Sequence, residues 1–271
     1  MRYAIDDIAK IIQAADGHWK KAIVEHILID SRKIVFPASS LFFALTGPRR
    51  NGHLFIEEAY QAGVRNFVVS TQMPDSFCSD ANFLKVPDVL KALQAVACAH
   101  RKKFQLPVIG ITGSNGKTIV KEWLYQLLHN DFSIVRSPRS YNSQIGVPLS
   151  VSLINEADNL GIFEAGISKA GEMGSLEQMI APTIGVFTGL GEAHSEGFLH
   201  AKEKLQEKFL LFSHVDTLVY ASDAIGETSE FPDPSLSGEH STIINWSRKS
   251  AATVRIKSEK IIDNNCIVAG L

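Results

Sequence analysis

Cysteine is scarce in this chain and odd in number. Cys78, Cys98 and Cys266 are the three in 271 residues, and they lie far apart. Such a set builds no disulfide framework, and no pair has the short spacing of a zinc site. Reduced thiols in a cytoplasm are the expectation. A long apolar run is also missing, since no stretch approaches the roughly 20 residues that span a bilayer. The N-terminal "MRYAIDDIAKII" carries acids where a secretory signal would be apolar. Nor is one sign of charge in excess. The 27 basic residues face 29 acidic ones, for a net charge of −2, which leaves no electrostatic footprint for nucleic acid or a membrane surface. What remains is a globular composition, 45% hydrophobic and 21% charged, with no internal repeat and no low-complexity segment.

The first hundred residues alternate between periods. "IDDIAKIIQAA" puts Ile5, Ile8 and Ile12 at helical spacing, whereas "AIVEHILI" and "LFFAL" are short, apolar and partly β-branched, as buried strands are. "GHLFIEEAYQAGV" reads as a helix stopped by Gly63, and "NFVVS" as the next strand. "DVLKALQAVACAHRKKF" is a helix with Asp88 as its N-cap and a basic last turn. From Leu106 the pattern restarts as strand, Gly-rich loop and helix, the helix carrying Val120, Leu124, Leu127 and Leu128 on one stripe. "NLGIFEAG", "PTIGVFTG" and "DTLVYAS" read as further buried strands, and "AKEKLQEKFLLF" as a helix between the last two. This alternation predicts an α/β fold with a parallel, doubly wound sheet. The tail, "AATVRIKSEKIIDNNCIVAGL", alternates like antiparallel strands.

The loop "GITGSNGKT" is built for an anion. Gly113 and Gly116 allow a tight turn without a Cβ between backbone and phosphate, around Ser114 and Asn115. Amides of the loop and the helix N-terminus supply partial positive charge. Lys117 is placed to reach the β- and γ-phosphates, and the Thr118 hydroxyl to ligate Mg²⁺. The general phosphate-loop expression is not strictly met, because Ile111 holds its first glycine position. Glu164 ends the strand in "LGIFEAG". At the carboxyl edge of a parallel sheet, a carboxylate can hold Mg²⁺ beside a nucleotide.

The shifted glycines of "GITGSNGKT" resemble the variant loop of the Mur ligase family, ATP-dependent ligases that build the peptidoglycan stem peptide. "GLGEAHSEGF" resembles the family's loop in which a histidine ligates a second Mg²⁺, and the matching residue is His194. Mn²⁺ is expected to substitute there. Of Lys202, Lys204 and Lys208, the one at the family's offset for a lysine carbamylated by CO₂ is Lys208; the other two read as a solvated helix face. "YNSQIGVP" resembles the family's "N-x-x-x-G-x-P" segment, which implies a substrate contact for Asn142. "DSR", followed by "LFFALTGPRRNGHLFIEEAYQAG", looks like the UDP-binding domain of the ligases adding the third residue or the D-Ala-D-Ala dipeptide. That implies contacts from Ser31 and Arg32 to the uridine diphosphate, with Phe42 and Phe43 in the core. "FEAGIS" and "GEAHSEGF" look more like the dipeptide-adding members, although Gly189 stands where the family usually has asparagine.

The resemblance implies a small N-terminal α/β domain at residues 1–86, binding a UDP-sugar-peptide, then a connecting helix at 87–105. A P-loop-type parallel-sheet ATPase domain follows at 106–271, expected to be incomplete and to lack the family's C-terminal domain. It implies ATP and Mg²⁺ as cofactors, UDP-MurNAc-tripeptide and D-Ala-D-Ala as substrates, and a monomeric, cytoplasmic chain with no membrane insertion. A non-catalytic binding fragment of such a ligase, or the ligase adding the third residue, is the alternative. A small-molecule kinase or GTPase would call for a base motif or a lid that the sequence does not offer.

Overall fold

The computed structural model describes residues 1–271 except 48–49, 74–78, 192–197, 199, 225–241, 263–264 and 271; for Arg50, 259–262 and 265–270 it describes backbone alone. The chain divides into two compact units. The first is Met1–Phe104 with Val151–Asn155, and the second is Gln105–Ser150 with Glu156–Leu271.

In the first unit, β1 (Tyr3–Ala4) pairs antiparallel with β2 (Ile23–Val24) beside α1 (Ile5–Ile11). β3 (His26–Leu28), β4 (Ser40–Phe43), β7 (Asn66–Val69) and β8 (Asn82–Lys85) form a parallel sheet in that order. A small ladder, β5 (Thr46–Gly47) with β6 (Arg50–Asn51), and helix α2 (Ile56–Gln61) lie between β4 and β7 in sequence. Gly63, at φ +99°, ends that helix as its sequence suggests. The apolar faces of α1 and α3 (Val89–Arg101) pack on the sheet: Ile5, Ile8, Leu93 and Val96 join Leu41, Phe43, Val68 and Leu84 in one buried cluster. Phe42 and Phe43 are core residues, as expected. Asp88 caps α3, its Oδ1 accepting from the Leu90 and Lys91 amides at 2.8 and 3.0 Å.

The described strands of the second unit form one sheet. β9 (Val108–Thr112), β10 (Ile134–Arg136), β11 (Leu160–Glu164), β12 (Ile184–Phe187), β13 (Thr217–Ala221), β14 (Thr242–Ser247), β15 (Val254–Ile262) and β16 (Asn265–Gly270) stand in the order β10-β11-β9-β12-β13-β14-β15-β16. All pairs are parallel except β15 with β16, so the tail forms the expected antiparallel pair. α4 (Lys117–Leu128) follows β9, α5 (Gly146–Val151) precedes β11, α6 (Met173–Ile180) leads to β12, and α7 (Ala201–Phe209) leads to β13. Val120, Leu124 and Leu128 pack on Ile109, Ile111, Leu160 and Ile162. Leu127, expected on the same stripe, is 73% exposed. The inward register of α4 instead runs through Lys117, Lys121, Leu124 and Leu128, one residue every three or four. Among the described residues, no helix is long and apolar enough to cross a membrane.

Candidate functional site

The strand order reverses around β9, so the loops after β9, β11 and β12 leave the same carboxyl edge of the second unit, where open parallel sheets bind ligands. Register brings Glu164 opposite Ile111, and Phe187 opposite Thr112. The Thr112 hydroxyl donates to the Ala165 carbonyl at 2.9 Å and holds two of these strand ends together.

The loop between β9 and α4 depends on its glycines. Gly113 has φ +151°, and a Cβ there would lie 2.0 Å from the Thr188 hydroxyl. Gly116, at φ +82°, takes the N-cap position of α4 in the left-handed region, and no side chain caps the helix. That leaves the first amides of a 12-residue helix for an outside acceptor. The Ser114 amide is already engaged, donating to the Gly189 carbonyl at 2.8 Å, and the Ser114 hydroxyl donates to the Gly191 carbonyl at 3.1 Å. The Asn115 carbonyl accepts from the Thr188 hydroxyl. The loop is therefore braced against the residues that follow β12.

Three lysines surround it. Lys117 Nζ donates to the Gly113 carbonyl at 2.8 Å, and Lys208 Nζ reaches the same oxygen at 3.3 Å. Lys204 Nζ donates to the Gly191 carbonyl at 2.8 Å. Lys204 was expected to be solvated with Lys202; Lys202 is exposed, but Lys204 is buried. The reason lies in α7, whose inward stripe is Lys204, Leu205, Lys208 and Phe209. Phe209 anchors it between Phe187 and Phe212, with ring centroids 5.0 and 5.4 Å away. Full burial of a side chain of this kind is worth about 1.5–3 kcal/mol, and it fixes which face α7 turns inward, the face that also carries Lys204 and Lys208. Desolvation lowers the pKa of all three amines. Lys208 falls furthest, to about 8, pushed also by the charges of Lys117 and Lys204.

Opposite them stands Glu164, fully buried. Its Oε2 accepts from the Thr118 hydroxyl at 3.0 Å and from Asn142 Nδ2 at 3.3 Å. Its Oε1 lies 2.9 Å from Lys121 Nζ, an ion pair with both side chains fully buried. Lys121 also donates to the carbonyls of Ser137, at 2.8 Å, and Arg139. No expectation from the sequence named Lys121. The readable signal was its place on the inward register of α4, where an apolar residue would be usual. Thr118 and Glu164 together fit a divalent cation. Among the described residues no three His, Cys, Asp or Glu side chains gather, so phosphate oxygens and water would complete the coordination, as Mg²⁺ prefers. His194 lies outside the described residues.

In the first unit, Ser31 and Arg32 follow β3. The Ser31 hydroxyl donates to Glu58 at 3.1 Å. The exposed Arg32 guanidinium holds Asp30 by two bonds of 2.9 and 2.8 Å and lowers its carboxyl to about 2.

A loop of left-handed glycines between strand and helix, with an acid and lysines converging on it, defines a P-loop-type parallel-sheet domain. Residues 111–262 match the Mur ligase middle domain, and the chain belongs to the Mur ligase family. Over 209 residues it is 31% identical to the UDP-N-acetylmuramoyl-tripeptide–D-alanyl-D-alanine ligase of Bacillus subtilis (strain 168), covering 76% of this chain and 45% of the relative. Its fold is that of MurF from Acinetobacter baumannii, with a TM-score of 0.86 at 20% identity over 100% of this chain and 58% of that one. The MurF ligase of Thermotoga maritima, solved in complex with ADP, matches with a TM-score of 0.76 at 24% identity, over 91% of this chain and 56% of that one. The chain spans about half the length of the curated relatives it matches.

Proposed function

We propose that this chain is the substrate- and ATP-binding portion of a cytoplasmic, monomeric ligase that joins D-Ala-D-Ala to UDP-MurNAc-tripeptide. Residues 1–86 take the UDP-sugar-peptide, with Ser31 and Arg32 toward the diphosphate. Residues 87–105 connect, and 106–271 take ATP. The observation that carries this reading is the convergence of Lys117 and Lys208 on the Gly113 carbonyl, opposite Thr118 and Glu164 3.0 Å apart. Named ligases 31% identical to most of the chain give the reaction class.

In this reading the terminal carboxylate of the tripeptide attacks the γ-phosphorus of ATP, and ADP leaves. The amine of D-Ala-D-Ala then attacks the acyl carbon of the acyl phosphate, inorganic phosphate leaves, and the amine surrenders a proton. Lys117 swings from the Gly113 carbonyl to the transferring phosphoryl group, and the uncapped start of α4 stabilises the charge that develops there. Thr118 and Glu164, with His194, would hold divalent ions, which would supply charge neutralisation and alignment of the carboxylate. Asn142 orients Glu164 and faces the peptide. With its pKa lowered to about 8 by burial and by the charges of Lys117 and Lys204, Lys208 gives up its proton far more readily than an ordinary lysine. Its free amine can take up CO₂, forming an N–C bond and releasing one proton, so that a carbamate anion replaces a cation.

Calorimetry and a coupled ADP-release assay test this. The wild-type chain should bind Mg·ADP, and Lys117→Ala should weaken binding about 10- to 100-fold, the worth of one charge-assisted contact of 1.5–3 kcal/mol. Equal binding by the variant overturns the reading. ADP release with UDP-MurNAc-tripeptide and D-Ala-D-Ala supports the ligase; binding of both ligands without release favours a binding portion that needs further chain. Depletion of CO₂ should lower any turnover, and bicarbonate should restore it in wild type and not in Lys208→Ala.

A further inference from the structure

Lys121 is a fully buried ammonium with no part in the scheme above. Its Nζ lies 2.9 Å from Glu164 Oε1 and 3.3 Å from Glu122 Oε1, and Arg136 also holds Glu122. It donates to two carbonyls of one loop, those of Ser137 and Arg139. Arg139 has φ +50°, in the left-handed region, so the loop's course depends on being held. The same loop carries Ser140, whose hydroxyl is 3.4 Å from that of Thr118, and Asn142, which bonds Glu164. Lys121 thus fixes the acid and its surroundings from behind.

The two carboxylate oxygens of Glu164 have different neighbours. Oε2 faces Thr118, at the start of α4 beside the glycine loop, and Asn142. Oε1 faces the Lys121 charge and has no aligned donor among the described residues. With a cation at 2.9 Å, Oε1 is closed to a second cation, because like charges that close repel strongly in a dry site. Glu164 can therefore offer a metal one oxygen. Mg²⁺ suits such a ligand: it is small, octahedral, and keeps its waters. Ca²⁺ favours carboxylates that give both oxygens.

We propose that Lys121 is a positioning residue that restricts Glu164 to one-oxygen ligation and so favours Mg²⁺ over Ca²⁺. The inference rests on the reading that Glu164 holds the divalent ion.

The test is competition for Mn²⁺, followed by electron paramagnetic resonance on the 271-residue chain with ADP. Mg²⁺ and Ca²⁺ are titrated against bound Mn²⁺ in wild type, Lys121→Met and Lys121→Gln. The glutamine keeps an N–H donor for the carbonyls but carries no charge. Wild type should favour Mg²⁺, and both variants should lose at least tenfold of that preference, mainly through tighter Ca²⁺ binding. A folded variant with the wild-type Mg²⁺ to Ca²⁺ ratio overturns the proposal. If neither variant folds without an ion, the concentrations of each ion that restore the melting transition give the same ratio: Ca²⁺ acting at or below the Mg²⁺ concentration supports it, and an undiminished Mg²⁺ preference overturns it. Should Glu164→Gln bind Mn²⁺ as wild type does, the metal reading itself falls and takes this inference with it. Merely structural damage would weaken both ions together and leave their ratio in place.

Discussion

The two units bury polar groups in different ways. In the first, the buried polar groups are mostly neutral and saturated. Asn82 bridges the Lys20 amide, the Lys20 carbonyl and Asn66 at 2.6, 2.9 and 2.8 Å. His100 joins Tyr3 to the Ile154 carbonyl, at 3.2 and 2.8 Å. Arg101 is its buried ion among the described residues, with the Phe104 carbonyl as acceptor. The second unit buries Lys121, Lys204, Lys208 and Glu164 along one edge of its sheet. Each buried ion costs several kcal/mol in desolvation, which pairing only partly offsets. Amides in the first unit serve the fold. Charges gathered in the second cost stability, as they do where ligand sites are built.

That contrast can be broken at four places. The largest effect is expected from Lys121→Met without divalent ions. It leaves Glu164 buried without its counter-charge, and urea unfolding should report a loss of about 3–5 kcal/mol. A loss below 1 kcal/mol would mean that the ion pair is not what stabilises this edge. Next comes Asn82→Ala in the first unit, where stranded partners should cost about 1–3 kcal/mol; nucleotide binding should not change.

Lys208→Met probes the sign of the burial penalty. The amine titrates near 8 in the folded chain and near 10.5 when unfolded. Below pH 8 both states carry the proton and the penalty is complete. Between the two values the unfolded chain binds more protons, so wild-type stability rises with pH. In CO₂-free buffer the variant should melt several degrees above wild type at pH 7, at about 2–4 °C per kcal/mol. The gap should close between pH 8 and 10; a gap independent of pH would remove the buried ammonium as its cause.

The smallest effect belongs to His100, whose pKa burial lowers from 6.5. The unfolded chain protonates first as pH falls through 6.5, so this contribution is complete above that pH and declines below it. The slope is at most about 1.4 kcal/mol per pH unit. His100→Gln should flatten the acid limb of the stability profile between pH 5 and 6.5, measured by urea midpoints.

Much of the site could be read from the sequence because its parts are contiguous or tied to strand ends. The Gly113–Thr118 turn is one local structure, and Glu164 closes an apolar strand whose end must reach the sheet edge. Asp88 and Gly63 mark their helix ends by local hydrogen bonding and backbone freedom. Other features resisted for a physical reason. Lys204 sits in a strongly charged helix, and only the anchoring of Phe209 between Phe187 and Phe212 turns it inward. Leu127 belongs to the apolar residues of α4 by count, but the face the sheet covers is rotated toward Lys121.

By itself, then, the sequence determined the α/β order, the glycine loop between β9 and α4 and the strand-end acid, since each depends on residues near one another in the chain. The tertiary structure decided which lysines are buried and which Glu164 oxygen meets Lys121. Lys121 meets Glu164 across 43 positions of sequence and the Ser137–Arg139 loop across 16 to 18. A charge buried by such distant partners has no local signature, because its surroundings exist only once the sheet has formed.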